Sequence, residues 1–219
     1  MPDRSRAREL AAESLAKDEP LGWFENLYRE AAEGLTAIPW DDHVPNSHLI
    51  DFWSAHGIPA SGRRALVVGC GLGEDAEWIA ACGFTTTAFD ISPTGIKAAR
   101  ERFPQSKVEY LAADLFHAPN DWRGAFDFIF EANTLQAMPA ELRPGAMERI
   151  AAFLQPSGLL LVIARAREDH EPTGDLPWPL TRHEFSKFVD SGLAETSFRQ
   201  ITDSTEPFTR RFLATYTRR

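Results

Sequence analysis

Residues 65–73 constrain the fold of this chain more than any other stretch. Ala65-Leu66-Val67-Val68 is a continuous apolar run that stops at Gly69-Cys70-Gly71-Leu72-Gly73. A run without polar alternation fits a strand buried on both faces, which occurs where helices cover a parallel sheet. Helical and strand patterns alternate from there. A helix over about 75–81 leads to a strand at 85–89, and Ser92 followed by Pro93 opens a helix to about Phe103. Serine satisfies free helix amides and proline suits the first helical position. Strands follow at 108–112 and 126–130. A helix over 139–154 is expected to stop at Pro156 and Gly158, ahead of the most apolar strand at 159–164. Thr181 and Glu184 form a capping box for a helix over 181–191. Strands at 195–201 and 211–217, joined by a turn around Ser204-Thr205-Glu206-Pro207, end the chain. The expectation is an open, doubly wound α/β sheet with an antiparallel edge.

The first 60 residues read differently. Apolar residues recur at helical spacing over 6–17, 23–33 and 47–56, and a loop with Pro39 and Pro45 separates the last two segments. The expected organisation is a helical lid segment, 1–60, ahead of one compact unit, 61–219. At 219 residues the chain is long enough for one domain. Its 43% hydrophobic and 25% charged content is that of a globular protein. Met1-Pro2-Asp3-Arg4-Ser5-Arg6 leads into a polar helix, and no apolar run approaches a membrane span. A soluble, cytoplasmic protein is therefore expected. The 23 Lys and Arg against 32 Asp and Glu give a net charge of −9, which opposes binding to phosphate backbones or anionic membranes. Two cysteines, Cys70 and Cys82, suffice neither for a disulfide framework nor for a four-cysteine metal site. No metal is expected, and the protein is read as a monomer or weak dimer.

In doubly wound sheets ligands bind beyond the carboxyl ends of the strands. Four such ends carry informative residues. Gly69, Cys70 and Gly71 follow the first strand, and Asp90 follows the second, about 20 positions beyond Gly69. Glycines admit a ligand close to the backbone, and a carboxylate at that spacing accepts ribose hydroxyls. A dinucleotide fingerprint needs G-x-G-x-x-G, but Glu74 stands where its last glycine belongs. Glu74 and Asp75 also sit where a pyrophosphate would need the free amides of a helix start. S-adenosylmethionine carries a sulfonium and an ammonium and no phosphate, so these acids suit it. Asp114 after the third strand is placed to accept from the adenine amino group, with Leu115 packing on the ring. Glu131, after the fourth strand, is assigned to the sulfonium side. Trp40, between the two prolines, is expected to cross the cofactor, and Ile91 is counted beside Asp90 in the same site.

Together these segments resemble the class I S-adenosylmethionine-dependent methyltransferases, from about Trp23 to the C-terminus. Val67-Val68-Gly69-Cys70-Gly71-Leu72-Gly73, Phe89-Asp90-Ile91-Ser92, Ala113-Asp114-Leu115 and Phe126-Asp127 carry the resemblance. It implies a Rossmann-like, seven-stranded sheet whose last strand is antiparallel, with S-adenosyl-L-methionine as cofactor and S-adenosyl-L-homocysteine as product. Within that class the chain looks like the thiopurine S-methyltransferase branch of small-molecule enzymes. Trp23, Tyr28 and Trp40 ahead of the first strand, and Leu135-Gln136-Ala137-Met138-Pro139-Ala140-Glu141-Leu142-Arg143, carry that likeness. Ala132 departs from the branch, which usually has an arginine there, and the early tryptophans differ in spacing.

The expected function is methyl transfer to a small-molecule acceptor, with a thiol favoured. O- or N-methylation, or cofactor binding without catalysis, are the alternatives. No residue stands out as a general base. Candidates on the acceptor side are Tyr28, Arg165, Arg167, His170 and Trp178. For the two arginines a solvated strand end is an equal reading, and for His170 a solvated loop.

Overall fold

A computed structural model describes residues 3–203 and 208–219. The chain divides into two compact units, Met1–Asp114 and Leu115–Arg219. The first contains α1 (Ser5–Ala16), α2 (Gly22–Ala32), α3 (Ser47–His56), β1 (Arg64–Val68), α4 (Glu74–Ala81), β2 (Thr85–Asp90), α5 (Pro93–Arg102) and β3 (Glu109–Ala112). β2 pairs in parallel with both β1 and β3, with Val68 opposite Phe89 and Asp90 opposite Ala112. Ala65, Leu66, Val67 and Val68 are all buried, as the apolar run requires. The expected cap at Ser92 forms, and Asn46 supplies another not named from the sequence. The Ser92 hydroxyl accepts from the Gly95 amide at 2.9 Å, and Asn46 caps α3 by accepting from His48 at 3.0 Å.

The second unit contains β4 (Phe126–Ala132), α6 (Arg143–Phe153), β5 (Leu154–Arg165), α7 (Ser186–Asp190), β6 (Leu193–Thr202) and β7 (Arg210–Arg218). β4 and β5 run parallel, and β7 is antiparallel to both β5 and β6. The seven strands have the order β3-β2-β1-β4-β5-β7-β6, so the doubly wound sheet with an antiparallel last strand is present. The hairpin does not simply extend the sheet in chain order: β6 lies at the edge and β7 pairs with β5.

Four expectations change. The helix expected from 139 starts at Arg143, because Pro144 has no amide to donate to Ala140 and is tolerated only in a helix's first turn. β5 starts at Leu154, so Pro156 and Gly158 lie in its first residues and not in a helix stop. There the pairing slips between Phe126 and Phe128, an irregularity where proline is tolerated. Of the helix expected over 181–191 only Ser186–Asp190 forms. The capping box is nonetheless made, with the Thr181 amide donating to Glu184 Oε2 at 2.8 Å. Finally, Glu131 lies inside β4, not after it. The turn expected at 204–207 lies outside the described residues. No helix of the described residues is long and apolar enough to cross a membrane.

Candidate active site

In the first unit the loops after all three strands are tied to one another. The Cys70 amide donates to the Phe89 carbonyl at 2.9 Å, and the Ala113 amide to the Asp90 carbonyl at 2.9 Å. Asp90 fixes the glycine loop through its side chain. Oδ2 accepts from the Gly71 amide and Oδ1 from the Ser92 amide, both at 3.0 Å. Burial pushes the Asp90 carboxyl above the usual carboxylate range, against the pull of these amides. The Ile91 amide also bonds to this carboxyl group, which with about four acceptor positions can hold the loop and still accept from a ligand hydroxyl. Asp114 follows Ala113 directly, at the end of the same cluster of loops.

α2 covers this loop. Tyr28 is buried, and its hydroxyl receives the Trp40 indole N–H at 2.9 Å. Gly71 has φ +55°, and a Cβ there would lie 3.3 Å from the Tyr28 hydroxyl and 3.4 Å from Trp40 Nε1. The backbone at Gly71 thus forms a close cradle beneath two aromatic polar atoms. Gly95 makes the second close approach, since a Cβ there would lie 3.1 Å from the Tyr28 ring. Glu25, one turn before Tyr28, locks the helix in place. It accepts from the Ser92 hydroxyl at 2.6 Å, the Thr94 hydroxyl at 2.6 Å and the Thr94 amide at 3.2 Å. Burial raises the Glu25 pKa, but these hydrogen bonds outweigh it and hold the group below the usual range. Trp23 is buried and packs edge-on to Trp40, while Trp53 packs edge-on to Trp78.

The two acids that open α4 have other work than the sequence implied. Glu74 pairs with Arg102, whose guanidinium also holds Asp41 at 2.7 and 2.8 Å. One guanidinium serves two carboxylates there, so the start of α4 keeps a net negative charge that disfavours an anion. Asp75 accepts from the Asn46 amide at 2.7 Å, and burial pushes its pKa up to about 6. Asp41 and Asn46 flank the loop that follows Trp40, so both acids of α4 help anchor it. Asp41, His43 and Glu74 have ligand atoms within 4.8 Å of one another, with Arg102 supplying the positive charge there.

The second unit carries the remaining candidates. Leu115 is buried at the start of a 3-10 turn. Glu131 is fully buried, and its Oε1 accepts from the amides of Thr134 and Leu135 at 2.8 and 3.0 Å. Gln136 bridges two neighbours: its side chain accepts from the Arg165 amide at 2.6 Å, and its carbonyl from the Trp178 amide at 2.7 Å. Arg165 and Trp178 are thereby held to the turn that follows β4. Arg167 is directed elsewhere, donating to the carbonyls of Pro179 and Glu171 at 3.2 and 3.0 Å, and so braces its own loop. His170 is exposed in that loop.

Arg143 stands in the sequence only as the end of the family-like segment 135–143, with no role marked. It is 1% exposed and donates to the Met138 carbonyl at 3.1 Å, the Trp178 carbonyl at 3.1 Å and Glu184 at 2.6 Å. It joins the turn after β4 to the loop bearing Trp178. The capping box marked Glu184, but nothing near Arg143 in the chain marked their pairing across 41 positions. The roles of Glu25 and Gln136 were hidden for the same reason.

The sequence profile of the thiopurine S-methyltransferase family matches residues 34–212. The chain belongs to this family. It is an S-adenosylmethionine-dependent methyltransferase for a small-molecule acceptor. A probable thiol methyltransferase 2 of Arabidopsis thaliana is 27% identical over 189 residues, covering 84% of this chain and 77% of the relative. Thiocyanate methyltransferase 1 of the same plant is 30% identical over 168 residues, covering 74% and 69%. Among solved structures, the N-methyltransferase NodS of Bradyrhizobium japonicum, in complex with S-adenosyl-L-homocysteine, superposes with a TM-score of 0.70. At 21% identity, over 89% of this chain and 97% of that one, it establishes the shared fold.

Proposed function

We propose that this enzyme methylates the sulfur of a small thiol or a related anionic sulfur compound, with the cofactor held at the glycine loop. The observation that carries the reading is the cradle at Gly71, closed beneath Tyr28 and Trp40 and held by Asp90. The residues present fit the cofactor. Gly69, Cys70 and Gly71 offer an approachable backbone, Asp90 and Ile91 the ribose side, and Asp114 and Leu115 the adenine side. Trp40 closes over the cofactor, and Asp75 keeps the lid loop in place. Helices in 1–60 act as the lid. When bound, the cofactor supplies an electrophilic methyl group on a sulfonium. The chain's own residues align the acceptor with that methyl and keep water away.

Two relatives named for thiol and thiocyanate substrates support a sulfur acceptor. Tyr28, Arg165, His170 and Trp178 are the proposed acceptor-side residues, with Arg167 bracing the loop. The protein is proposed to act in the cytoplasm as a monomer or weak dimer, without a metal. Calorimetric titration with S-adenosylmethionine, S-adenosylhomocysteine and NAD tests the site. Micromolar binding of the first two and none of NAD is expected, followed by methylation of thiols in a product screen. Transfer confined to phenols or amines would overturn the sulfur reading.

A further inference from the structure

Glu131 combines three properties that its neighbours do not share. It is 0% exposed, its Oε1 is engaged by two backbone amides, and its Oε2 is buried with no hydrogen-bond partner among the described residues. The engaged amides belong to Thr134 and Leu135, beyond the end of β4 at Ala132. The carboxyl group therefore folds over the carboxyl edge of the sheet, where α/β folds bind their ligands. A buried carboxylate oxygen without a donor is costly, and a ligand that supplies a proton removes the cost.

We propose that Glu131 Oε2 is the general base that removes the proton of a thiol acceptor, a role that rests on the sulfur-methylation reading above. An alkyl thiol is mostly protonated at neutral pH, and its thiolate is the nucleophile. In the step, the acceptor sulfur forms a bond to the methyl carbon while the bond from that carbon to the sulfonium sulfur breaks. The bonding pair stays on the departing thioether. The S–H proton passes to Oε2 and then to solvent, so charge and atoms balance. The amides on Oε1 fix the carboxyl group and leave Oε2 as the oxygen able to take the proton. Burial pushes the Glu131 pKa up to about 7, opposed by the Leu135 and Thr134 amides, with no charged side chain contributing. That value matches a proton exchanged with a thiol near neutrality.

The test compares an alkyl thiol, 2-mercaptoethanol, with 4-nitrothiophenol, which is already ionised at neutral pH. It uses the full chain and the variant Glu131→Gln, with S-adenosylmethionine affinity measured by calorimetry and folding by thermal melting. The amide keeps an oxygen for Thr134 and Leu135 and cannot take the proton. The expected result is a fall of about 10²- to 10⁴-fold in kcat/KM for the alkyl thiol. The value for the nitrothiophenol and the cofactor affinity stay close to wild type. An equal fall for both thiols, a weakened cofactor affinity that accounts for the loss, or no loss at all would each overturn the base role. Should Glu131→Gln not fold, Glu131→Asp carries the same comparison, because a withdrawn carboxylate must slow the alkyl thiol more than the ionised one. Wild-type protein that methylates neither thiol, while binding the cofactor, would instead remove the sulfur reading itself.

Discussion

The Trp40 indole donates to the Tyr28 hydroxyl at 2.9 Å, and both polar atoms lie within 3.4 Å of where a Gly71 side chain would begin. This pair joins α2 and the following loop to the strand-end glycines, so the order of the lid and the shape of the cradle are one property. Replacing Tyr28 by Phe leaves the buried packing but removes the acceptor for the indole. We expect a loss of about 1 kcal/mol in urea unfolding and a weaker affinity for S-adenosylmethionine in calorimetry. An unchanged affinity would separate the lid from the cofactor site.

Asp90 has two duties, and two variants distinguish them. Asp90→Ala strands the Gly71 and Ser92 amides, so a stability loss of about 1–3 kcal/mol is expected with the loss of cofactor binding. Asp90→Asn retains one acceptor oxygen and should be less destabilised. It should still bind S-adenosylmethionine at least about tenfold more weakly, because a carboxylate accepts more strongly from ribose hydroxyls than an amide does. Isothermal titration and chemical denaturation report the two effects separately.

Arg143 is a buried cation whose partners are two carbonyls and Glu184. Arg143→Met leaves the Glu184 carboxylate and both carbonyls without it. Denaturation should show a loss of about 3–5 kcal/mol. Adding Glu184→Gln should recover part of that loss, since the unpaired charge disappears.

Glu131 and Asp75 give stability a definite pH dependence. Their folded-state pKa values, about 7 and about 6, lie above the ordinary 4.5 and 3.8, so the folded state holds these protons more tightly than the unfolded chain. Their contribution is complete below pH 3.8 and is lost as pH rises through about 7. For Glu131 alone the change amounts to about 3 kcal/mol. Melting curves of wild type and Glu131→Gln should therefore diverge between pH 4.5 and 7, with the wild type losing stability relative to the variant as pH rises. Parallel curves would show that the carboxyl group is not buried as described.

Local patterning determined much of this protein. The apolar run at 65–68, the glycines after it, Asp90 and the Ser92-Pro93 helix start are all specified by residues close in sequence, because strand burial, turn geometry and caps depend on near neighbours. The start of β5 at Leu154 and the shortened α7 were not legible there. Pro156 and Gly158 read as breakers until pairing with β4 supplies a register that tolerates them, and Glu184 caps a turn while answering to Arg143. The site divides in the same way. The glycine loop and its carboxylate stand out because their spacing follows from one βαβ turn. Tyr28 beneath Trp40, Glu25 on Ser92, Arg102 between Asp41 and Glu74, and the unpartnered oxygen of Glu131 depend on groups distant in the chain. Burial and long-range partners set the charge and direction of those side chains, and only the folded chain brings them together.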